Sequence, residues 1–360
     1  MNTKDHSEAQ AGQLLSLFKD IERRANNLSL NGTKHPFKWH QDIGGLLTPT
    51  QVETTRQQLK KLSVDDYVAK VLDPAESANR PNAKTIISQL RGKIHQEFEL
   101  GPLYSIELSL EYQGEKRRVA IIAQNRHVAN GVWSPEHHLE ACRLADEYSR
   151  RAVPIITFMD TPGADAGTEA NAANQAHSIS RLIAVMAAAK VPSIGIIYGL
   201  GYSGGAIPLA TTNVLLAVRN AAFNTIQPKG LANIARQYNL SWQECAQSVG
   251  VSSYELYKQG NIDGVIDYDP GEDNNIANLR NAMVSGILSI EESTREFVED
   301  HPEILDHYQR NIKRYLHPSE SLSAVHASST LKLRTSPTQY PNVFGVTYRY
   351  LRYLGLRRRI

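Results

Sequence analysis

The chain is 360 residues long, room for about two domains of ~150 residues or for one large core with appendages. Hydrophobic residues make up 41% and charged residues 21%, which excludes disorder throughout, and 39 basic against 37 acidic side chains leave a charge of +2, which excludes a chain built mainly to hold nucleic acid. Two cysteines, Cys142 and Cys245, are too few for a disulfide framework or a four-thiolate zinc site, and MNTKDHSEAQAGQ lacks the apolar core of a secretory signal, so cytosolic thiols and a cytoplasmic location are expected.

Leu14, Leu15, Leu17, Phe18 and Ile21 recur at helical spacing, which predicts an amphipathic helix over 12–28. Thr48-Pro49 before VETTRQQLKKL gives a cap, a first-turn proline and a second helix. Residues 64–72 predict a third, ended by Asp73-Pro74. The apolar stripes are narrow, so 1–79 is expected to be a helical arm. From Tyr104 the period changes: Ile106, Leu108, Leu110 and Tyr112 alternate with polar residues, and Val119–Ala123 is continuously apolar, a hairpin leading into a buried strand. A helix over Pro135–Arg150, a strand over Val153–Met159, a turn over Asp160–Gly167 and a helix through Ala189 follow.

Val191–Val218 carries no charge for 28 residues, longer than the ~20 that span a bilayer. It holds Pro192, Pro208 and five glycines, which in lipid would leave backbone groups unpaired. The expectation is therefore a buried strand over Ser193–Tyr198, a glycine turn and a buried helix, with a further strand over Asn213–Val218 and no membrane span. Strands alternating with helices predict an α/β core. Beyond Asp269 the composition shifts: 276–316 reads as charged helix, 317–342 as a Ser/Thr/Pro-rich linker, and 348–359 as a basic, aromatic end. A solvated tail, a helix packed on a partner and contact with an anionic surface all stay open for that end.

Chemistry in an α/β protein gathers at the carboxyl ends of core strands. Asp160-Thr161-Pro162-Gly163-Ala164 follows one strand; its Asp-x-x-Gly matches a nucleotide triphosphatase motif, but no phosphate-cradling G-x-x-x-x-G-K-[ST] accompanies it. Gly201-Tyr202-Ser203-Gly204-Gly205 follows another and satisfies G-x-S-x-G, the nucleophile elbow. A serine hydrolase would then draw on Asp263, Asp267 or Asp269 and on His301, His307, His317 or His326, which lie in the charged helix or the linker. A third reading uses backbone alone. Consecutive glycines leave N–H groups approachable, and two such turns can furnish two facing oxyanion donors. Close packing of helix on strand also wants glycine.

VPIITFMDTPG at 153–163, Lys190-Val191-Pro192, Ser203-Gly204-Gly205-Ala206, Pro228 with Gly230, and Gly264-Val265-Ile266-Asp267, taken in order, resemble the α subunit of bacterial acetyl-CoA carboxylase carboxyltransferase, a crotonase-superfamily family. The likeness runs from Arg80-Pro81 through Phe98-Glu99-Leu100-Gly101 to about residue 285. It implies a crotonase-like spiral of ββα units with an N-terminal helical arm and C-terminal helices: arm 1–79, carboxyltransferase core 80–285, C-terminal helices 286–316, linker and basic tail 317–360. It further implies a half-site completed by a β-type subunit in an α2β2-like hetero-oligomer, with carboxybiotin supplied on a carrier protein and an acetyl-CoA or other short acyl-CoA substrate. The product is then of the malonyl-CoA type, as in fatty acid biosynthesis. Carried over by position, Gly204, Gly205 and Ala206 are the catalytic oxyanion donors. Gly163, Ala164, Asp165, Gly201, Tyr202 and Ser203 line the substrate pocket, and no metal is expected in this chain.

Several pocket positions depart from the resemblance. Leu200 and Tyr202 replace a glutamate and a glycine of the family's Gly-Glu-Gly-Gly, Asp165 and Ala166 replace a tyrosine and a proline, Asn171-Ala172-Ala173 replaces Glu-Glu-Arg, and Gln227 and Lys229 replace a serine and a glutamate. Backbone donors survive such changes. A malonyl-type decarboxylase and a non-catalytic assembly subunit therefore stay beside the carboxyltransferase. Adjacent His137 and His138 point to different sides of a helix and do not form a metal pair, His177 reads as a surface residue, and Asp165 is a candidate base by location.

Overall fold

The computed structural model describes residues 43–112, 114–271, 275–301 and 341–359; the helix expected over 12–28 lies outside them, as does the linker expected over 317–342 except for Pro341 and Asn342, which begin a helix. Eight strands form one mixed sheet: β1 (Lys93–Leu100), β2 (Leu103–Tyr112), β3 (Glu115–Gln124), β4 (Ile155–Thr161), β5 (Ser193–Tyr202), β6 (Val214–Val218), β7 (Ala222–Asn224) and β8 (Gly264–Ile266). Their order is β1-β2-β3-β4-β5-β6-β8, with β7 pairing β5 beyond its junction with β6. β1, β2 and β3 are antiparallel; from β3 onward the pairs are parallel.

β4, β5 and β6 read as continuous apolar runs because both of their faces are covered, and every residue in them is buried. Helix Pro135–Arg150 has the expected bounds, its start fixed by a Ser134–His137 capping box and by proline in the first turn. It packs on helix Gln175–Ala188 and on β3 and β4, while helix Ile276–Asp300 lies across β2, β5 and β8. The segment expected to be one helix after Gly167 is two, Thr168–Ala172 and Gln175–Ala188, broken where Asn174 adopts φ 64°. Among the described residues no helix is long and apolar enough to cross a membrane.

The described part of the arm is helical: Pro49–Leu59, Val64–Tyr67, a wider five-residue turn Val68–Leu72, and Asp73–Glu76. Helix therefore continues through Asp73-Pro74, since proline is tolerated in a first turn. Tyr67 fastens the arm to the body: its hydroxyl donates to Glu255 Oε2 at 2.6 Å and accepts from the Val251 amide at 3.2 Å. Tyr67→Phe leaves the buried Val251 amide short of its partner and should lower unfolding free energy by about 1–2 kcal/mol, read as a shift in urea midpoint at constant slope.

The basic end forms a helix packed on its own chain, which none of the three readings open for it had named. Helix Pro341–Arg359 buries Val343, Phe344, Tyr348, Tyr350 and Leu351. Arg352 is wholly buried, its guanidinium donating to the carbonyls of Ala187 (3.1 Å), Ala189 (2.8 Å) and Val191 (2.8 Å), to Asn213 Oδ1 (3.0 Å) and to Ser193 Oγ (3.2 Å).

Candidate functional site

β4 ends on Asp160-Thr161, and the Thr161 hydroxyl curls the chain by accepting the Gly163 amide at 3.1 Å and donating to the Gly163 carbonyl at 2.8 Å. Gly163 has φ +149°, backbone that a side chain would strain. β5 runs longer than expected, through Gly199–Tyr202, and reverses only at Ser203, whose φ of +56° is uncommon for a non-glycine residue. A four-residue helix, Ser203–Ala206, follows.

The two turns touch at Gly205. A Cβ there would lie 2.6 Å from the Gly163 carbonyl carbon and 2.8 Å from the Ala164 nitrogen, so only glycine lets the backbones meet. Gln124, at the end of β3, ties them together: its Oε1 accepts the Asp160 amide at 3.0 Å and its Nε2 donates to the Gly205 carbonyl at 2.8 Å. Gln227 donates to the Pro162 carbonyl from the far side. Beneath the strand ends lies a buried ion pair, Arg80 Nη2 to both Asp160 oxygens at 2.8 and 2.9 Å, with Asp160 Oδ1 also accepting the Leu200 amide at 3.2 Å. Arg80 reaches the Tyr198 and Ala75 carbonyls as well, joining arm to sheet.

Among the described residues no backbone or side-chain acceptor takes the amides of Ala164, Gly204 or Gly205. The Gly205 carbonyl is held from within by Gln124 and the Gly163 carbonyl by Thr161, which leaves the N–H groups of the turns as the candidate donors.

The expected site residues divide. Gly204, Ser203, Ala164 and Asp165 are half-buried at the turns, with Gly163, Gly205 and Ala206 packed behind them. Gly201 is corrected: it is a strand residue, paired with Thr161 and Phe223, and its missing side chain makes room for the Phe223 ring, 2.7 Å from where a Cβ would stand. Tyr202 is also corrected. Its ring packs with Leu59, Tyr67, Leu72, Leu200 and Val251, and burial pushes its phenol pKa up, so it fills the join with the arm rather than covering a ligand. Asp165 is engaged locally, its Oδ1 accepting the Gly167 amide at 2.8 Å.

Among the described residues the hydrolase constellation does not assemble. Asp263 accepts the Leu215 amide at 2.9 Å, Asp267 pairs with Arg219, and Asp269 accepts from Asn220 and from the Gly271 amide. His301 packs on Phe297, ring centroids 4.7 Å apart, and His307, His317 and His326 lie outside the described residues. His137 Nδ1 accepts from the Ser134 amide, His138 is buried and His177 exposed; among the described residues no group of three potential metal ligands comes together.

Sequence reasoning missed Gln124 and the Arg80–Asp160 pair. A polar residue closing the apolar run Val119–Ala123 was the signal available for Gln124. Arg80 and Asp160 are distant in sequence.

A family model described as "Acetyl co-enzyme A carboxylase carboxyltransferase-like" matches residues 115–313, more than half of the chain. The acetyl-coenzyme A carboxylase carboxyl transferase subunit alpha of Fusobacterium nucleatum is 34% identical over 166 residues, 45% of this chain and 53% of the relative. That of Paramagnetospirillum magneticum is 37% identical over 136 residues, 38% and 43%. A beta/alpha protein of Saccharopolyspora erythraea is 32% identical over 197 residues, 54% and 34%. The chain thus spans about half the length, or less, of the curated relatives it matches. Among solved structures, the transcarboxylase 12S core aligns over 72% of this chain and 47% of its own at TM-score 0.49 and 14% identity. The beta subunit of P. aeruginosa geranyl-CoA carboxylase aligns over 63% and 51%, at 0.46 and 15%. With the strand order, the paired glycine turns and this match together, the chain belongs to the acetyl co-enzyme A carboxylase carboxyltransferase-like family.

Proposed function

We propose that this chain is the α-type half of a biotin-dependent carboxyltransferase, cytoplasmic, working with a β-type subunit and a biotin carrier protein to carboxylate acetyl-CoA or a related short acyl-CoA. The observation that carries the reading is the contact of two glycine turns at Gly205, with unpaired amides at Gly204, Gly205 and Ala164. Carboxyl transfer places negative charge on a urea oxygen and on a thioester oxygen, and pre-aimed N–H groups lower that barrier without an ionisable side chain. Backbone bare of side chains at the two turns would admit a flat ring closely, which supports the reading. Biotin, when bound, supplies the transferable carboxyl. Gly204 and Gly205 hold the oxygen, Gly163 and Ala164 wall the pocket, and Gln124 keeps the turns from separating.

A partner suits the surface beside the turns. Gln227, bonded to Pro162, begins helix Pro228–Ile234, and this region leaves Ile226, Ile234, Tyr238 and Leu240 exposed, an apolar patch of the kind that marks protein contact. A second reading, a non-catalytic assembly subunit, is favoured by Leu200, which stands where the family has a glutamate and is sunk in an apolar cluster.

Co-expression with a β-type subunit and assay of malonyl-CoA-dependent carboxylation of free biotin tests both. Turnover by the complex, and none by either chain alone, is the expected result. A tight complex inert toward malonyl-type thioesters would overturn the enzyme reading and leave the assembly role.

A further inference from the structure

We propose that a cavity at the end of the sheet remote from the glycine turns binds a small anion carrying two or more linked phosphates, a second site independent of the carboxyltransferase reading. The cavity lies where helix Ala83–Gln89 gives way to β1, with walls from β1, β2, β3 and helix Ile276–Asp300 and a volume of about 690 Å³. That size suits a small organic ligand, for which cavities of about 300–1,000 Å³ are usual. Lys116, in its wall, stands at the start of β3, and Gln124 ends that strand beside the turns. A strand rise of about 3.3 Å per residue puts roughly 25 Å between the two.

Among the described residues the wall carries four cations, Arg91, Lys93, Lys116 and Arg280, against one carboxylate, Glu111, a balance of +3. They come from separate elements, so the fold gathers them, not a run of basic sequence. Arg91 is held at φ +53°, and Gly92 crosses so close to β2 that a Cβ would meet Leu108 Cδ1 at 2.5 Å, which fixes Arg91 and Lys93 on either side of the crossing. In register, Lys93 stands beside Ser109 and Lys116 beside Glu111. Among the described residues none of the four cations forms a side-chain ion pair, whereas the next arginines of β3 are paired, Arg117 with Glu291 and Arg118 with Glu107. Arg280 gives a second sign: its Nε is shut off from water and has no acceptor among those residues. Buried donors are normally satisfied, and a charged one left without a partner is costly. Like charges held around a concavity repel one another and focus a positive potential, and an anion relieves both. His95 Nε2 and Ser109 Oγ lie 2.8 Å apart, and either direction of that bond leaves the pair one more donor, the imidazole Nδ1–H or the hydroxyl. Cations spread over two strands and a helix match linked phosphates better than a single one. Leu90 and Leu110 give the same cavity an apolar wall where the organic part of a nucleotide can rest. The chain's overall charge of +2 disfavours a nucleic-acid strand as the occupant.

The test is calorimetric titration of the full chain with inorganic tripolyphosphate and with ADP, at fixed ionic strength. One-to-one binding is expected. It should weaken about tenfold or more in Lys93→Gln and Lys116→Gln, whose exposed side chains can change without disturbing the fold, and in Arg280→Gln. Arg150→Gln, which alters a surface arginine paired with Asp146 outside the cavity, should leave the affinity unchanged. ADP binding more tightly than tripolyphosphate identifies a nucleotide that uses the leucine wall, and the reverse order identifies a free polyphosphate; both support the site. Neither probe saturating the chain at millimolar concentration overturns it, as does an equal affinity in the wild type and the two lysine variants. A single-stranded oligonucleotide that saturates the chain while neither small anion does would also overturn it. The measurement needs no partner and no turnover, so an inert carboxyltransferase complex leaves its outcome untouched.

Discussion

Arg80→Ala is expected to lower unfolding free energy by about 3–5 kcal/mol, because it strands a carboxylate in a dry interior. Asp160 is wholly buried, and the Arg80 guanidinium is the one cation within reach of it, at 2.8 and 2.9 Å among the described residues. Removing the carboxylate's charge as well should recover much of the loss, so Arg80→Ala with Asp160→Asn should unfold at higher urea than Arg80→Ala alone. Equal midpoints for the single and double variants would show that the pair carries no such coupling. The effect should reach the site too. Asp160 accepts the Leu200 amide, and Gly199 leaves room for the guanidinium, so the pair sets the spacing of β4 and β5 just before both turns.

The second large effect is at Gly205. Gly205→Ala places a methyl 2.6–2.8 Å from the backbone of Gly163 and Ala164, where neither side can rotate away. The turns must part, at about 1–3 kcal/mol in stability and about a hundredfold or more in carboxyltransfer, because an oxyanion donor displaced by a fraction of an ångström loses most of its value. Gly204→Ala is the contrast. Its methyl would meet the Ile179 Cδ1 at 2.7 Å, the far end of a movable side chain. Thermal melts of the two variants should separate by several degrees, and equal melts would contradict the backbone contact at Gly205.

Continuous apolar runs made β4, β5 and β6 legible in the sequence, and Ser134-Pro135 marked the start of its helix. β1 was passed over although KIHQEFEL alternates Lys93, His95, Glu97 and Glu99 with Ile94, Gln96, Phe98 and Leu100: as a bulged edge strand it exposes most of these residues, so no apolar run announces it. The glycine cluster misled for a different reason. Gly199 and Gly201 are small to admit Arg80 and Phe223, residues 119 before and 22 after, and nothing local distinguishes such a strand glycine from a turn glycine. The glycine turn at Ser203–Gly205 was legible, because consecutive glycines after an apolar strand are a local signal.

Arg352 has a consequence for how the molecule is made. Its acceptors lie 139 to 165 residues earlier in the chain, on the strand and loop that carry the site. During synthesis at ~5–20 residues per second, those carbonyls wait roughly 10–30 s for the guanidinium that satisfies them. Throughout that interval the apolar faces covered by Val343, Phe344 and Leu351 stand open to water. The nascent chain is therefore a client for chaperones, with its topology closed late and from the ribosome-proximal side, and ribosome-bound chains stalled before residue 341 should be far more sensitive to protease around 187–213 than released ones.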